Sequence, residues 1–117
     1  MKMNAKNVAT EILRQLGGNK FIAMTGAKQF CYFDDNGEYG LCFRLPARFA
    51  RHGINVVRIK LTWQDTYEVT FFCVSSNKNK KVFQRTDVYF DELQNIFTEV
   101  TGLDTWMPVI KNVTKED

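Results

Sequence analysis

The chain has 117 residues, 44% of them hydrophobic and 25% charged, the balance of a single folded domain, which excludes a disordered polar segment. Its net charge of +3 is too small by itself to imply a polyanion partner, and nowhere do about 18 consecutive apolar residues suggest a membrane span. Three cysteines, Cys31, Cys42 and Cys73, make an odd and sparse set. With a polar, helical N-terminal stretch that lacks the apolar run of a signal peptide, they predict free thiols in a cytoplasmic setting.

The first element is a helix over residues 5–16. Val8, Ile12 and Leu16 recur every four residues, Ala9 and Leu13 widen the stripe, Asn4 suits the N-cap, and Gly17-Gly18 supplies a stop. Residues 21–25 read as a short strand, followed by a turn at Gly26-Ala27. The next hairpin is the best specified feature, because Asn36-Gly37 is the preferred pair for a type I′ turn, in which both positions need positive φ. A two-residue loop there sets Asp35 opposite Glu38. Counting outward then pairs Phe33 with Gly40, Tyr32 with Leu41, Cys31 with Cys42, Phe30 with Phe43 and Gln29 with Arg44. Phe33 over Gly40 is a sensible cross-strand pair, since the ring shields backbone that has no side chain of its own.

Residues 46–53, opened by Pro46, form a connecting loop with one helical turn expected at Ala47 to Arg51. Residues 55–63 then alternate strictly, with Val57, Ile59, Leu61 and Trp63 on one face and Val56, Arg58, Lys60 and Thr62 on the other. An odd-length loop to the partner strand, residues 67–74, keeps the apolar faces together, whereas a two-residue loop would mix Trp63 with Glu68. That loop aligns Trp63 with Tyr67, Leu61 with Val69, Ile59 with Phe71, Val57 with Cys73 and Arg58 with Phe72. Asp65 tolerates the positive φ the loop needs. After a basic turn, residues 82–88 form an edge strand with weaker alternation. The last helix spans residues 92–101, with Leu93, Ile96, Phe97 and Val100 at helical spacing, Asp91 as cap and Gly102 as stop. Trp106 to Ile110 is apolar enough to pack back, and residues 111–117 are expected to fray. The expected architecture is therefore α+β: an antiparallel meander sheet of about five to six strands with an N-terminal and a C-terminal helix, one domain over residues 1–110.

Charge is segregated along the chain. No acidic residue falls from Tyr39 through Gln64, a stretch holding Arg44, Arg48, Arg51, Arg58 and Lys60, and Lys78, Lys80, Lys81 and Arg85 follow. Acids collect at Asp34, Asp35 and Glu38 and in the C-terminal quarter.

The strings LGGNKFIAMTGAKQF (Leu16 to Phe30) and VYFDELQNIFTEVTGL (Val88 to Leu103) resemble segments of a family of small hypothetical proteins of bacteriophages and bacterial mobile elements. The similarity takes in the helix-to-strand junction, the central hairpin spacing and the last helix. It implies a phage-associated setting in the bacterial cytoplasm and nothing about catalysis.

No catalytic constellation is readable. A Cys-His nucleophile built on the single His52 would need an orienting partner and a thiol with lowered pKa, and none of the cysteines opens a helix. All three lie in strands, where core packing is the expected role. Without Cys-x-x-Cys or a His cluster no metal site is expected, and no cofactor either. Asp34-Asp35-Asn36-Gly37-Glu38 is far too short for a calcium loop, and Gly17-Gly18 and Gly26 are not followed by the Lys-Ser/Thr of a phosphate loop. The candidate binding residues are Phe33, Arg44, Arg58, Lys60 and Phe72, which the pairing places on the second face of the sheet. Exposed aromatics flanked by cations anchor protein interfaces, so a small non-enzymatic binding protein acting on a host or phage protein, or by self-association, is the first reading. The alternative is a single-stranded nucleic-acid binder, in which rings stack bases and cations follow phosphates.

Overall fold

Helix α1, Ala5–Leu16, forms as its apolar spacing dictates. In the computed structural model, which describes residues 4–105, Val8, Ala9, Ile12 and Leu16 are buried. The Asn4 carboxamide oxygen accepts the Asn7 N–H at 2.9 Å, satisfying one of the unpaired amides of the first turn. Gly17 closes the helix, its N–H donating to the carbonyls of Leu13 and Arg14. The packing expected of Trp106 to Ile110 and the tail 111–117 lie outside the described residues.

The strand expected over residues 21–25 is instead a short helix, α2, Asn19–Thr25. The burial period explains why: Phe21 and Thr25 are buried four residues apart while Ala23, which a strand would bury with them, is exposed. The Thr25 hydroxyl donates back to the Phe21 carbonyl at 2.8 Å. The Phe21 ring then meets Phe43 and Phe97 edge-on, with centroids 5.4 and 5.2 Å apart, the favourable geometry for aromatic pairs. Tertiary packing of one ring decides a local preference that seven residues could not decide alone.

Five strands follow as an antiparallel meander in the order β1-β2-β3-β4-β5: Lys28–Asp35, Glu38–Arg44, Val56–Leu61, Tyr67–Val74 and Asn79–Val88. The first hairpin has the expected turn, with Asn36 and Gly37 at φ 55° and 89°, and the expected pairs from Asp35–Glu38 through Cys31–Cys42. Beyond Cys31 the register shifts, so Lys28 rather than Gln29 faces Arg44. Gln29 takes up the extra residue at φ 55°. Phe30 still reaches Phe43, at 5.3 Å between centroids.

The β3–β4 pairing keeps the expected faces but not the expected partners. Leu61 faces Tyr67, Ile59 faces Val69, Val57 faces Phe71 and Arg58 faces Thr70, not Phe72. The loop closes one residue earlier than counting from Trp63 implied, because Thr62 and Thr66 pair: the Thr62 N–H and hydroxyl both donate to the Thr66 carbonyl, at 2.9 and 3.0 Å. Asp65 adopts the positive φ, 62°. Trp63 thereby leaves the core position assigned to it and is 74% exposed. It lies across the first turn, where a Cβ on Gly37 would come within 2.7 Å of its ring, and its backbone N–H donates to the Glu38 carboxylate at 2.9 Å.

Strand β5 is an edge, as expected, and starts at Asn79 rather than Val82. Helix α3, Leu93–Thr101, is preceded by a 3-10 turn at Phe90–Glu92. The carboxylate that caps this entry is Glu92, which accepts the Tyr89 N–H at 3.0 Å, rather than Asp91. Gln94 donates to the Leu16 carbonyl at 2.8 Å and ties α3 to the end of α1. Val8, Ile12, Leu16, Phe21, Leu93, Ile96 and Phe97 from the helices share one core with Leu41, Phe43, Val57, Ile59, Val69 and Phe71 from the sheet. The strand residues named all point to the same side, so the three helices cover one face of the sheet.

A candidate interaction face

The opposite face carries the residues that alternate with the core set, and among the described residues no helix packs on it. Read across the strands, three ladder rows stand in register. Lys28, Arg44, Val56, Phe72 and Lys81 form the first; Cys31, Cys42, Arg58, Thr70 and Gln84 the second; Phe33, Gly40, Lys60 and Glu68 the third. The hairpin pair Asp35–Glu38 ends the face. All five candidate residues, Phe33, Arg44, Arg58, Lys60 and Phe72, stand at face positions, but they are divided into two chemically different zones.

In the hairpin-end zone the charges satisfy one another. The Lys60 ammonium lies 3.2 Å from Asp35 and 3.3 Å from both Glu38 and Glu68, and its side chain is only 15% exposed. Arg58 lies 3.6 Å from the Asp35 carboxylate, and its guanidinium sits 4.1 Å above the Phe33 ring, a cation–π contact. The same ring covers Gly40, where a Cβ would come 2.4 Å from Phe33 Cζ and 2.1 Å from the Ile59 carbonyl oxygen. Phe33 is therefore already engaged by Arg58 and Gly40. Sequence reasoning placed these cations on the right face and missed that Asp35, Glu38 and Glu68 converge on them, because Glu68 reaches Lys60 only through the β3–β4 register.

The ion cluster shifts its members. The hydrogen bond from Lys60, then its charge, hold the Asp35 carboxyl below the ordinary 3.8. Burial works against the charge on Lys60, but hydrogen bonds to Asp35, Glu68 and Glu38 outweigh it and hold the ammonium above 10.5. A depressed carboxylate contributes stability above its unfolded value and loses it as the pH falls through the folded one; a raised ammonium contributes below its unfolded value and loses it as the pH rises through the folded one. The cluster is thus intact across the neutral range and weakens first in acid. Lys60→Met is expected to move Asp35 back up to or above the ordinary carboxylate range in a carboxyl NMR titration. An unmoved Asp35 would mean that Lys60 does not hold it.

The other zone, at the far end of the strands, is different. Lys28, Arg44 and Lys81 are exposed and make no ion pair among the described residues, and they stand in one row with the half-buried Phe72 and Val56. Thr70, between the zones, is buried although it faces outward, because Gln84 bridges it to Glu68, donating at 3.1 and 2.6 Å. The face is thus a flat platform with a basic-aromatic end and a neutralised, acid-rich end.

The cysteines do not pack in the core. Cys31 is exposed and Cys42 and Cys73 are half-buried, because the pairing puts the first two on the bare face and Cys73 opposite Lys80. His52 sits at φ 59° and lines a cleft of about 390 Å³ on the helical side with Arg51, Phe83, Arg85, Glu99 and Val100. Arg51 there donates to the Glu99 carbonyl at 3.2 Å and closes the last turn of α3. Sequence periodicity gave no sign of this cleft, which joins residues of the β2–β3 connection, β5 and α3. Among the described residues no three His, Cys, Asp or Glu groups are placed to hold a metal ion, and no helix is long and apolar enough to cross a membrane. Comparison with protein-family models, curated proteins and solved structures finds no match.

Proposed function

We propose that this is a small non-enzymatic binding protein whose bare sheet face docks a protein partner. The setting it would act in, a bacteriophage or mobile element in the bacterial cytoplasm, rests on the resemblance of residues 16–30 and 88–103 alone. The observation that carries the reading is the row Lys28-Arg44-Val56-Phe72-Lys81, where an aromatic and an aliphatic side chain stand between cations that have no intramolecular ion pair among the described residues. Such a row fits a partner that seats an apolar side chain on Phe72 and Val56 and sets carboxylates over Arg44 and Lys81. A second copy of this chain would have to bring a carboxylate from outside its own ion cluster, such as the exposed Asp34, since Asp35 and Glu38 are already held by Lys60.

Single-stranded nucleic acid is the second reading, and the neutralised zone weighs against it. A base stacking on Phe33 would have to displace Arg58, and a phosphate approaching Lys60 would meet three carboxylates. Among the described residues of the bare face, Lys28, Arg44 and Lys81 would remain for phosphates. With a slope of about −0.7 per contact on a single strand, log K against log salt should then not exceed about −2 in magnitude. Oligonucleotide titration at two salt concentrations, beside a sedimentation series, separates the readings. The protein-partner reading expects weak oligonucleotide binding at low salt and, where self-association occurs, its loss in Phe72→Glu. Tight oligonucleotide binding with a steeper slope would replace it with the nucleic-acid reading.

A further inference from the structure

The first hairpin brings two thiols together on the bare face. Cys31 and Cys42 are direct cross-strand partners, four ladder pairs from the Asp35–Glu38 pair that closes the turn. Directly opposed residues of an antiparallel pair have Cα atoms about 4.5–5.5 Å apart, inside the window of about 4.4–6.8 Å in which a disulfide closes. Cys31 is exposed and Cys42 half-buried, so Cys31 is the more accessible thiol of the two. The pair is flanked by cations: Arg58 is the β3 partner of Cys42, and Arg44 follows Cys42 by two residues on the same face. These guanidinium groups act against the burial and the neighbouring Cys31 that push the Cys42 thiol up, without outweighing them. Cys73 is a built-in control, since it stands opposite Lys80 on the other side of the sheet, beside Gly53.

We propose that Cys31 and Cys42 form a paired-thiol modification site that closes to a cross-strand disulfide by exchange with a low-molecular-weight disulfide of the glutathione class. In the first step the Cys31 thiolate attacks one sulfur of oxidised glutathione; a Cys31–glutathione bond forms, the glutathione S–S bond breaks, and one glutathione thiolate leaves. In the second, Cys42 releases its proton to solvent and its thiolate attacks Cys31 Sγ. The Cys31–Cys42 bond forms and the second glutathione thiolate leaves. Two protein thiols are oxidised and one glutathione disulfide is reduced to two thiols. Burial, and then the neighbouring Cys31, push the Cys42 thiol up, which makes the second step the slower one. In a reducing cytoplasm the pair stays open. Under oxidative load the bond would staple edge strand β1 to β2 beneath Arg58 and Arg44, within the face proposed to bind, although the site does not depend on that reading.

The test incubates the folded chain with graded ratios of oxidised to reduced glutathione, quenches with an alkylating agent, and maps the thiols by intact mass and peptide mass. The expected result is a species lighter by two hydrogens, linked between Cys31 and Cys42, with Cys73 alkylated. Cys42→Ser should instead hold glutathione on Cys31, because no resolving thiol remains. Cys31→Ser should take up glutathione much more slowly than Cys42→Ser. Two results would overturn the proposal: wild type that accumulates glutathione on Cys31 without closing, and Cys73 reacting as fast as the pair. Serine differs from cysteine by one atom at these two partly exposed positions, and an unchanged circular dichroism spectrum shows that the folds compare.

Discussion

Phe97→Ala is expected to cost about 3–5 kcal/mol, a large share of the roughly 5–15 kcal/mol that holds a domain together. Phe97 is 1% exposed and belongs to no single contact. Its ring lies 5.2 Å from Phe21, inclined at 72°, and 6.3 Å from Phe43, so it joins α3 to α2 and to β2. Truncation removes the transfer free energy of the ring and leaves a void between three elements that cannot all move inward together. Urea denaturation at neutral pH reads the loss directly, and Phe97→Leu, which keeps most of the volume, should fall well short of it. A midpoint unchanged by Phe97→Ala would mean that α3 does not close the core.

Gly40→Ala should be nearly as damaging, for the opposite reason. A Cβ there would stand 2.1 Å from the Ile59 carbonyl oxygen and 2.4 Å from Phe33 Cζ, and the first of these is backbone in the neighbouring strand. Overpacking of this kind costs about 1–3 kcal/mol and more where the backbone itself must move, so the loss should reach or pass the upper figure. The two obstacles can be separated. Adding Phe33→Ala removes the ring but not the Ile59 carbonyl, so the double variant should recover only part of the stability. Full recovery would show that the ring alone requires glycine, and no loss in Gly40→Ala would contradict the β2–β3 register.

The sheet was legible where chemistry fixes the chain locally. Asn36-Gly37 admits one kind of turn, and from it four of the named pairs follow by counting, including Cys31–Cys42 and Phe33–Gly40, until the bulge at Gln29. The strict alternation of residues 56–61 chose the buried face of β3 for the same reason. What could not be read depends on contacts remote in sequence. Residues 21–25 read as a strand, and only the packing of Phe43 and Phe97 around Phe21 shows why they are helical. Trp63 continues an apolar alternation, and only the Thr62–Thr66 pairing and the turn it lies across show why it is outside. The candidate site shared this fate. Its five residues stand on one face as the alternation implies, yet the meaning of Lys60 and Arg58 changed once Asp35, Glu38 and Glu68 were found around them. A basic stretch in sequence became, in space, a paired ion cluster at one end of a face and, at the other, a basic row with no ion pair among the described residues.

That division bears on function directly. Cations already paired contribute little to a new polyanion contact, whereas the row around Phe72 keeps both its charge and its apolar surface available. The measurement closest to this central claim places a photo-crosslinking amino acid, one position at a time, at Arg44 and Lys81 on the bare face and at Arg14 on α1, whose side chain is 70% exposed. Irradiation in the native cell, followed by nuclease treatment, identifies what each position touches. The account predicts protein adducts of defined mass from Arg44 and Lys81, resistant to nuclease, and none from Arg14. Adducts from Arg14 alone, or adducts from the face that nuclease removes, would contradict it.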